Sequence, residues 1–155
     1  MTNISIAVST AACPLCMEPG GLVIDQTSLW RVVRVEDANF PAFYRLIWQS
    51  HVAEFSDLSE AEALACMRAV TAIEKVLLSA LRPTKINLAT LGNVVPHLHW
   101  HVIARFDWDS HFPNPVWGAA LRELAQPAQA RLALSLQELD ARVAAALQKL
   151  GAGLN

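Results

Sequence analysis

His97-Leu98-His99-Trp100-His101-Val102-Ile103 holds three of the five histidines of this 155-residue chain. They recur at every second position, which is the period of a β-strand, where side chains i, i+2 and i+4 line one face. The spacing therefore predicts a strand with His97, His99 and His101 on one side and Leu98, Trp100 and Val102 on the other. The apolar side belongs in a core and the imidazole side in a cleft.

The flanks extend this reading in both directions. Upstream of the histidines, Lys85–Thr90 reads as a strand and Leu91-Gly92-Asn93 as a turn. The histidine strand itself is predicted over Pro96–Phe106. Earlier still, Ser59-Glu60-Ala61-Glu62 matches a capping box, with serine at the N-cap and glutamate at N3. A helix should follow to about Leu81 and stop before Pro83. Leu58, Ala61, Ala65, Ala69, Ala72, Val76 and Ala80 recur at three- and four-residue steps. Leu64, Ile73 and Leu77 widen the stripe, so this helix is expected to pack on a sheet. Three further strands precede it: Leu22–Asp25, Leu29–Val35 and Phe43–Trp48. Gln26–Ser28 forms a hairpin loop between the first two. Asp107–Pro115 is polar and proline-rich and reads as a loop. Ser135-Leu-Gln-Glu138 is a second capping box, opening a helix that ends at Gly151. Three strands, a helix, two strands and a helix indicate an α+β fold with a mainly antiparallel sheet.

Hydrophobic residues make up 54% of the chain and charged residues 17%, a balance that suits a globule and excludes disorder. The net charge is −2 and no Lys/Arg cluster occurs, so polymeric nucleic acid is not an expected partner. No apolar run reaches the roughly 18–20 residues of a membrane span. Met1–Ala12 lacks a basic n-region and reads as a flexible arm. Three cysteines do not form a secreted disulfide framework, which makes a cytoplasmic location the expectation.

An imidazole cluster supplies nucleophile, base and acid near neutral pH, because the unperturbed pKa is about 6.5. Two chemistries compete for the histidine face: metal ligation and nucleophilic attack at phosphorus with a phospho-histidine intermediate. Cys13-Pro-Leu-Cys16 has three readings. It is a redox pair, an idle pair, or half of a zinc site completed by His51 and His97, both of which sit at strand ends. Cys66, mid-helix, reads as a small buried hydrophobe. His111 reads as a surface or lid residue, and Trp48 and Trp100 as core. Trp117, after a proline-rich loop, is placed in the core, with packing on a base or a partner subunit as its alternative.

The His97–Ile103 stretch resembles the His-φ-His-φ-His-φ-φ motif of the histidine triad (HIT) superfamily of nucleotide hydrolases and transferases. Asn87-Leu-Ala-Thr-Leu-Gly-Asn-Val-Val-Pro96 and Ala104-Arg105-Phe106 are similar to the flanks of that motif. The C-x-x-C pair and His51-Val-Ala-Glu-Phe-Ser-Asp-Leu-Ser59 resemble its zinc-containing bacterial members, in the branch described as diadenosine tetraphosphate hydrolase-like. The likeness spans residues 13–117. It divides the chain into an arm (1–12), a HIT domain (13–117) and a C-terminal extension (118–155) with a helix over about 136–150.

The resemblance implies a five-stranded antiparallel sheet with a long packing helix, in a homodimer. It implies that His99 attacks the α-phosphorus of a nucleotide and that a nucleotidyl-histidine intermediate is then released to water or another acceptor. His101 would contact the phosphate oxygens. Asn87 would help orient nucleophile and substrate. His97 would join Cys13, Cys16 and His51 around a structural zinc, with no organic cofactor. Leu91–Pro96 departs from the family pattern: it lacks a Gly-Gln-Ser-like phosphate segment, and Asn93 is the candidate to fill part of that role. Asp37 is the nearest candidate for a ribose-binding acid.

The substrate expected is a dinucleoside polyphosphate or a nucleoside phosphoramidate, hydrolysed at the α-phosphate. A nucleotidyl transferase, a nucleotide-binding or sensing module with little turnover, and a metal-dependent hydrolase are the competing readings.

Overall fold

The computed structural model describes residues 10–151. The predicted arm therefore lies outside the described residues except for Thr10–Ala12, which make one 3-10 turn. Five strands form one antiparallel sheet: β1 (Leu22–Gln26), β2 (Trp30–Arg34), β3 (Phe43–Trp48), β4 (Lys85–Ala89) and β5 (His99–Arg105). Their spatial order is β1-β2-β3-β5-β4, so the histidine strand is interior. Three helices complete the fold: α1 (Pro14–Met17), a single turn carrying the C-x-x-C pair, α2 (Glu60–Leu81) and α3 (Leu136–Gly151).

Strand register fixes which side chains share a face, because directly paired residues point the same way. Trp30 pairs with Trp48 and Val32 with Leu46. Leu46 in turn pairs with Trp100, and Tyr44 with Val102. This face is covered by α2 and α3. Cys66, Ala69, Val70, Ile73 and Leu77 of α2, with Leu139, Val143 and Leu147 of α3, complete the main core with it. The opposite face carries Arg45 paired with His101, and Ile47 paired with His99.

Helix α2 starts as predicted. Ser59 Oγ accepts from the Glu62 N–H, and the Glu62 carboxylate accepts from the Ser59 N–H at 2.8 Å. It ends at Arg82, in the left-handed region at φ 49°, one residue before Pro83. Its buried stripe keeps Ala65, Ala69, Ile73 and Leu77 of the predicted one and adds Cys66 and Val70, whereas Leu64 is half exposed. The second capping box is half formed. Ser135 Oγ accepts from the Glu138 N–H at 3.2 Å, but the Glu138 carboxylate turns to Arg142 instead.

Helix α3 is pinned to the sheet by one acid. Asp140 accepts from the Tyr44 hydroxyl at 2.7 Å and from Arg34 Nε at 3.0 Å. Burial and that carboxylate push the Tyr44 hydroxyl up, so it remains a donor. Asp140→Ala strands both donors, and a loss of about 2–4 kcal/mol in unfolding free energy is expected in a urea titration. A change under about 0.5 kcal/mol, the level of an ordinary surface substitution, would show the anchor to be idle.

Candidate functional site

Four residues distant in sequence meet beside the start of β5. Cys13 and Cys16 come from the α1 turn, His51 from the loop after β3, and His97 from the bend just before β5. Their donor atoms all lie within 4.8 Å of one another. His97 Nδ1 is 3.5 Å from Cys13 Sγ, 3.4 Å from Cys16 Sγ and 3.2 Å from His51 Nδ1. His51 Nδ1 is 3.3 Å from Cys16 Sγ. His97 Nε2 donates to the Trp48 carbonyl at 2.7 Å, which fixes the tautomer and leaves Nδ1 as a bare lone pair facing the thiols. Burial holds His97 below the ordinary imidazole pKa, in the neutral form a ligand requires. This S2N2 cluster could hold a metal ion.

The turn that presents the cysteines is itself held by a side chain. Arg31, on β2, donates from Nη2 to the Leu15 and Glu18 carbonyls and from Nε to the Pro19 carbonyl. A one-turn helix has too few internal hydrogen bonds to persist alone, and Arg31 satisfies the carbonyls it leaves free.

His97 was predicted within the histidine strand, but β5 begins only at His99. Pro96 has no N–H to give to a ladder, and the His97 N–H turns back to the Val95 carbonyl. The remaining two histidines share one face as predicted. They are 8% and 5% exposed, with ring centroids 5.0 Å apart. His99 Nδ1 donates to the carbonyl of His97 at 2.5 Å. With that nitrogen protonated, Nε2 carries the free lone pair. Burial lowers the His99 pKa, opposed by that hydrogen bond and assisted by the Arg45 charge. His101 is pushed down to about 3 by burial first, then by His99 and Arg45. Its Nδ1 is buried without a partner.

Both histidines line a cavity of about 420 Å³, within the range of small-molecule sites. Leu15 and Arg45 form part of its wall, with the loop Leu91–Val95 and Trp117. Asn93 lies in this wall, in the same cavity as His99 and His101. Among the described residues, the N–H groups of Asn93, Val94 and Val95 have no protein acceptor. Trp117 was placed in the core from sequence, yet it is 53% exposed, with its ring 5.0 Å from that of His101. The Asp109 carboxylate accepts from the N–H groups of Phe106, His111 and Phe112. Asp109 also pairs with Arg105 at 2.8 Å, with both side chains buried.

Asn87 is not in this cavity. Its Oδ1 accepts from Arg105 at 2.8 Å, and it lines an adjoining groove with Pro113, Pro115 and Trp117. Asp37 is farther away: its carboxylate caps its own loop through the N–H groups of Asn39 and Phe40. The His111 ring lies tilted at 59° to that of Phe40, with centroids 5.0 Å apart, and does not line the cavity. Cys66 is fully buried, and burial pushes its thiol up to about 12, so it is inert as expected. Arg31, Arg45 and the Arg105–Asp109 pair were not singled out from sequence. One signal was available: Arg45 interrupts the otherwise apolar run Phe43–Trp48.

A family model described as HIT domain matches residues 19–108. Among solved structures, a histidine triad protein from Bradyrhizobium japonicum is 30% identical, with 86% of this chain and 92% of that one covered and a TM-score of 0.65. One from Marinobacter aquaeolei VT8 is 27% identical, with 88% and 93% covered and a TM-score of 0.62. A protein from Mycobacterium smegmatis described as a Zn-bound histidine triad family protein shares the fold at 16% identity, with 93% and 99% covered and a TM-score of 0.59. Comparison with curated proteins gives no match. No described helix is long and apolar enough to cross a membrane.

Proposed function

The chain belongs to the HIT domain family, and on that premise we propose that it is a nucleotide hydrolase of the diadenosine tetraphosphate hydrolase-like branch, acting through a covalent nucleotidyl-histidine. The observation that carries this reading is the hydrogen bond from His99 Nδ1 to the His97 carbonyl. It leaves Nε2 with a lone pair on a residue of the cavity wall, in a setting where burial favours the neutral ring.

In the first half-reaction the Nε2 lone pair forms a bond to the α-phosphorus. The bond from phosphorus to the leaving group breaks, and its electron pair departs with that group, which takes up a proton from solvent where it leaves as an amine. In the second, water attacks the same phosphorus, the N–P electron pair returns to the imidazole, and the water proton passes to solvent. His101 contacts the phosphoryl oxygens, and the unpartnered N–H groups near Asn93 stabilise the charge that builds there. Asn87 acts through Arg105, holding the loop that carries Trp117.

Cys13, Cys16, His51 and His97 hold a structural zinc in this reading. Tetrahedral zinc with the usual bond lengths separates two nitrogens by about 3.3 Å, and nitrogen from sulfur by about 3.5 Å. The separations found here, 3.2 Å and 3.3–3.5 Å, fit that figure. With all four positions filled by protein, the ion supplies cross-linking rather than a site for substrate.

The test is intact-mass measurement after brief incubation with diadenosine tetraphosphate or a nucleoside phosphoramidate, quenched in base. A mass increase equal to one nucleotidyl group, a nucleoside monophosphate less one water, is expected, decaying to free nucleoside monophosphate. Neither adduct nor product across a nucleotide panel would sink the reading. The released product separates hydrolysis from transfer to another acceptor. Light scattering reads the homodimer that the resemblance implies.

A further inference from the structure

Arg45 is the one cation in the wall of the histidine cavity, and the proposed chemistry above does not use it. It stands on β3 directly opposite His101. Its Nε is buried without a hydrogen-bond partner. Its only hydrogen bond among the described residues is a long one, 3.5 Å from Nη1 to the Gly20 carbonyl. Among the described residues no carboxylate pairs with it, whereas Arg34, Arg105 and Arg142 each have an acid within 3.0 Å. The remaining residues, 1–9 and 152–155, contain no acidic side chain.

A half-buried guanidinium without a counter-ion is costly, and a methionine or leucine of similar volume would suit this strand better. Its sequence neighbours on the same face, Phe43 and Ile47, are apolar. A cation kept at a cavity wall at the expense of stability is the signature of a ligand-binding group. The rest of that wall is nearly uncharged: Leu15, Leu91, Gly92, Val94 and Val95 are apolar, and no acid lines it to take a ribose diol or an amine.

Resting on the nucleotide reading of this site, we propose that Arg45 binds a second anionic phosphate of the substrate, next to the one held between His99 and His101. The substrate class is then a polyphosphate rather than a phosphoramidate with a single phosphate. Arginine suits this task because its planar fork meets two phosphate oxygens at once.

Calorimetric titration of the full-length, metal-loaded protein tests this with AMP, ADP, GMP, GDP and inorganic pyrophosphate. The wild type is expected to prefer each diphosphate over its monophosphate by at least about tenfold, the scale of one charge-assisted contact. The preference should collapse in Arg45→Met and Arg45→Gln and return in part in Arg45→Lys. The melting temperature of Arg45→Met should equal or exceed that of the wild type, which separates loss of a ligand contact from loss of fold.

Equal binding of mono- and diphosphates by the wild type would overturn the proposal, as would a preference that survives in both Arg45→Met and Arg45→Gln. Arg45-dependent binding of pyrophosphate without binding of any nucleotide would uphold Arg45 and sink the nucleotide reading. Absence of binding for all five probes would end both.

Discussion

His99→Asn should lower turnover by at least about 10³-fold, with nucleotide affinity kept within a few fold. Asparagine retains a polar side chain of similar reach and can still donate toward the His97 carbonyl. It has no lone pair able to attack phosphorus, so the N–P bond cannot form and the base-stable adduct should vanish from the mass spectrum. The separation of binding from chemistry is the informative part. A residue that merely binds phosphate would raise KM on substitution with kcat little changed. A variant that still forms the adduct would move the nucleophile elsewhere. His101 would be the next candidate, because it is the other imidazole on the cavity wall.

The second large effect concerns the S2N2 cluster. Elemental analysis of the purified protein should return one zinc per chain, and Cys13→Ser should lower that sharply. The same substitution is expected to cost several kcal/mol of folding free energy, because binding at a structural metal site is itself folding free energy. The reason lies in what the site joins. The α1 turn is only four residues long and packs on the sheet through Leu15, beside Val33 and Ile47. Arg31 holds its carbonyls but supplies no cross-link to β5. Without the ion, two thiols and two imidazoles remain crowded together with little to gain from one another. A chelator should lower the melting temperature of the wild type and leave that of Cys13→Ser nearly unmoved. Equal effects of chelator on both proteins, or full zinc content in the variant, would count against the assignment.

Much of this architecture was legible because its signals are local. The two-residue histidine period marked β5, and Ser59 with Glu62 marked the start of α2 within its own turn. The Cys13–Cys16 spacing is that of a ligand pair, and the two histidines that could complete the site lie where chain segments end. What was not legible depends on register or on distant contacts. Arg45 becomes a cavity residue only because β3 pairs with β5 in a register that sets it against His101, and no property of Phe43–Trp48 alone fixes that register. Trp117 looks like a core residue by its chemistry. It is exposed instead, beyond a loop in which Asp109 takes the N–H groups of His111 and Phe112 and joins Arg105 and the distant Asn87 in one network. His97 left the strand because Pro96 and a turn-back to Val95 outweigh a side-chain pattern. Alternation describes which way side chains would point, not where a ladder begins.

His97 serves two centres with different parts of one residue. Its ring belongs to the cysteine cluster, while its peptide oxygen holds the His99 ring. A main-chain acceptor of this kind is indifferent to mutation, since every amino acid brings the same carbonyl. An imidazole oriented by an aspartate can lose that orienter to a single codon change; here the orienter has no codon of its own. Variation at position 97 therefore acts on His99 only by moving the backbone. The sequence freedom of the two centres is unequal: the cluster is hostage to four side chains, and the tautomer of His99 to the path of one peptide bond.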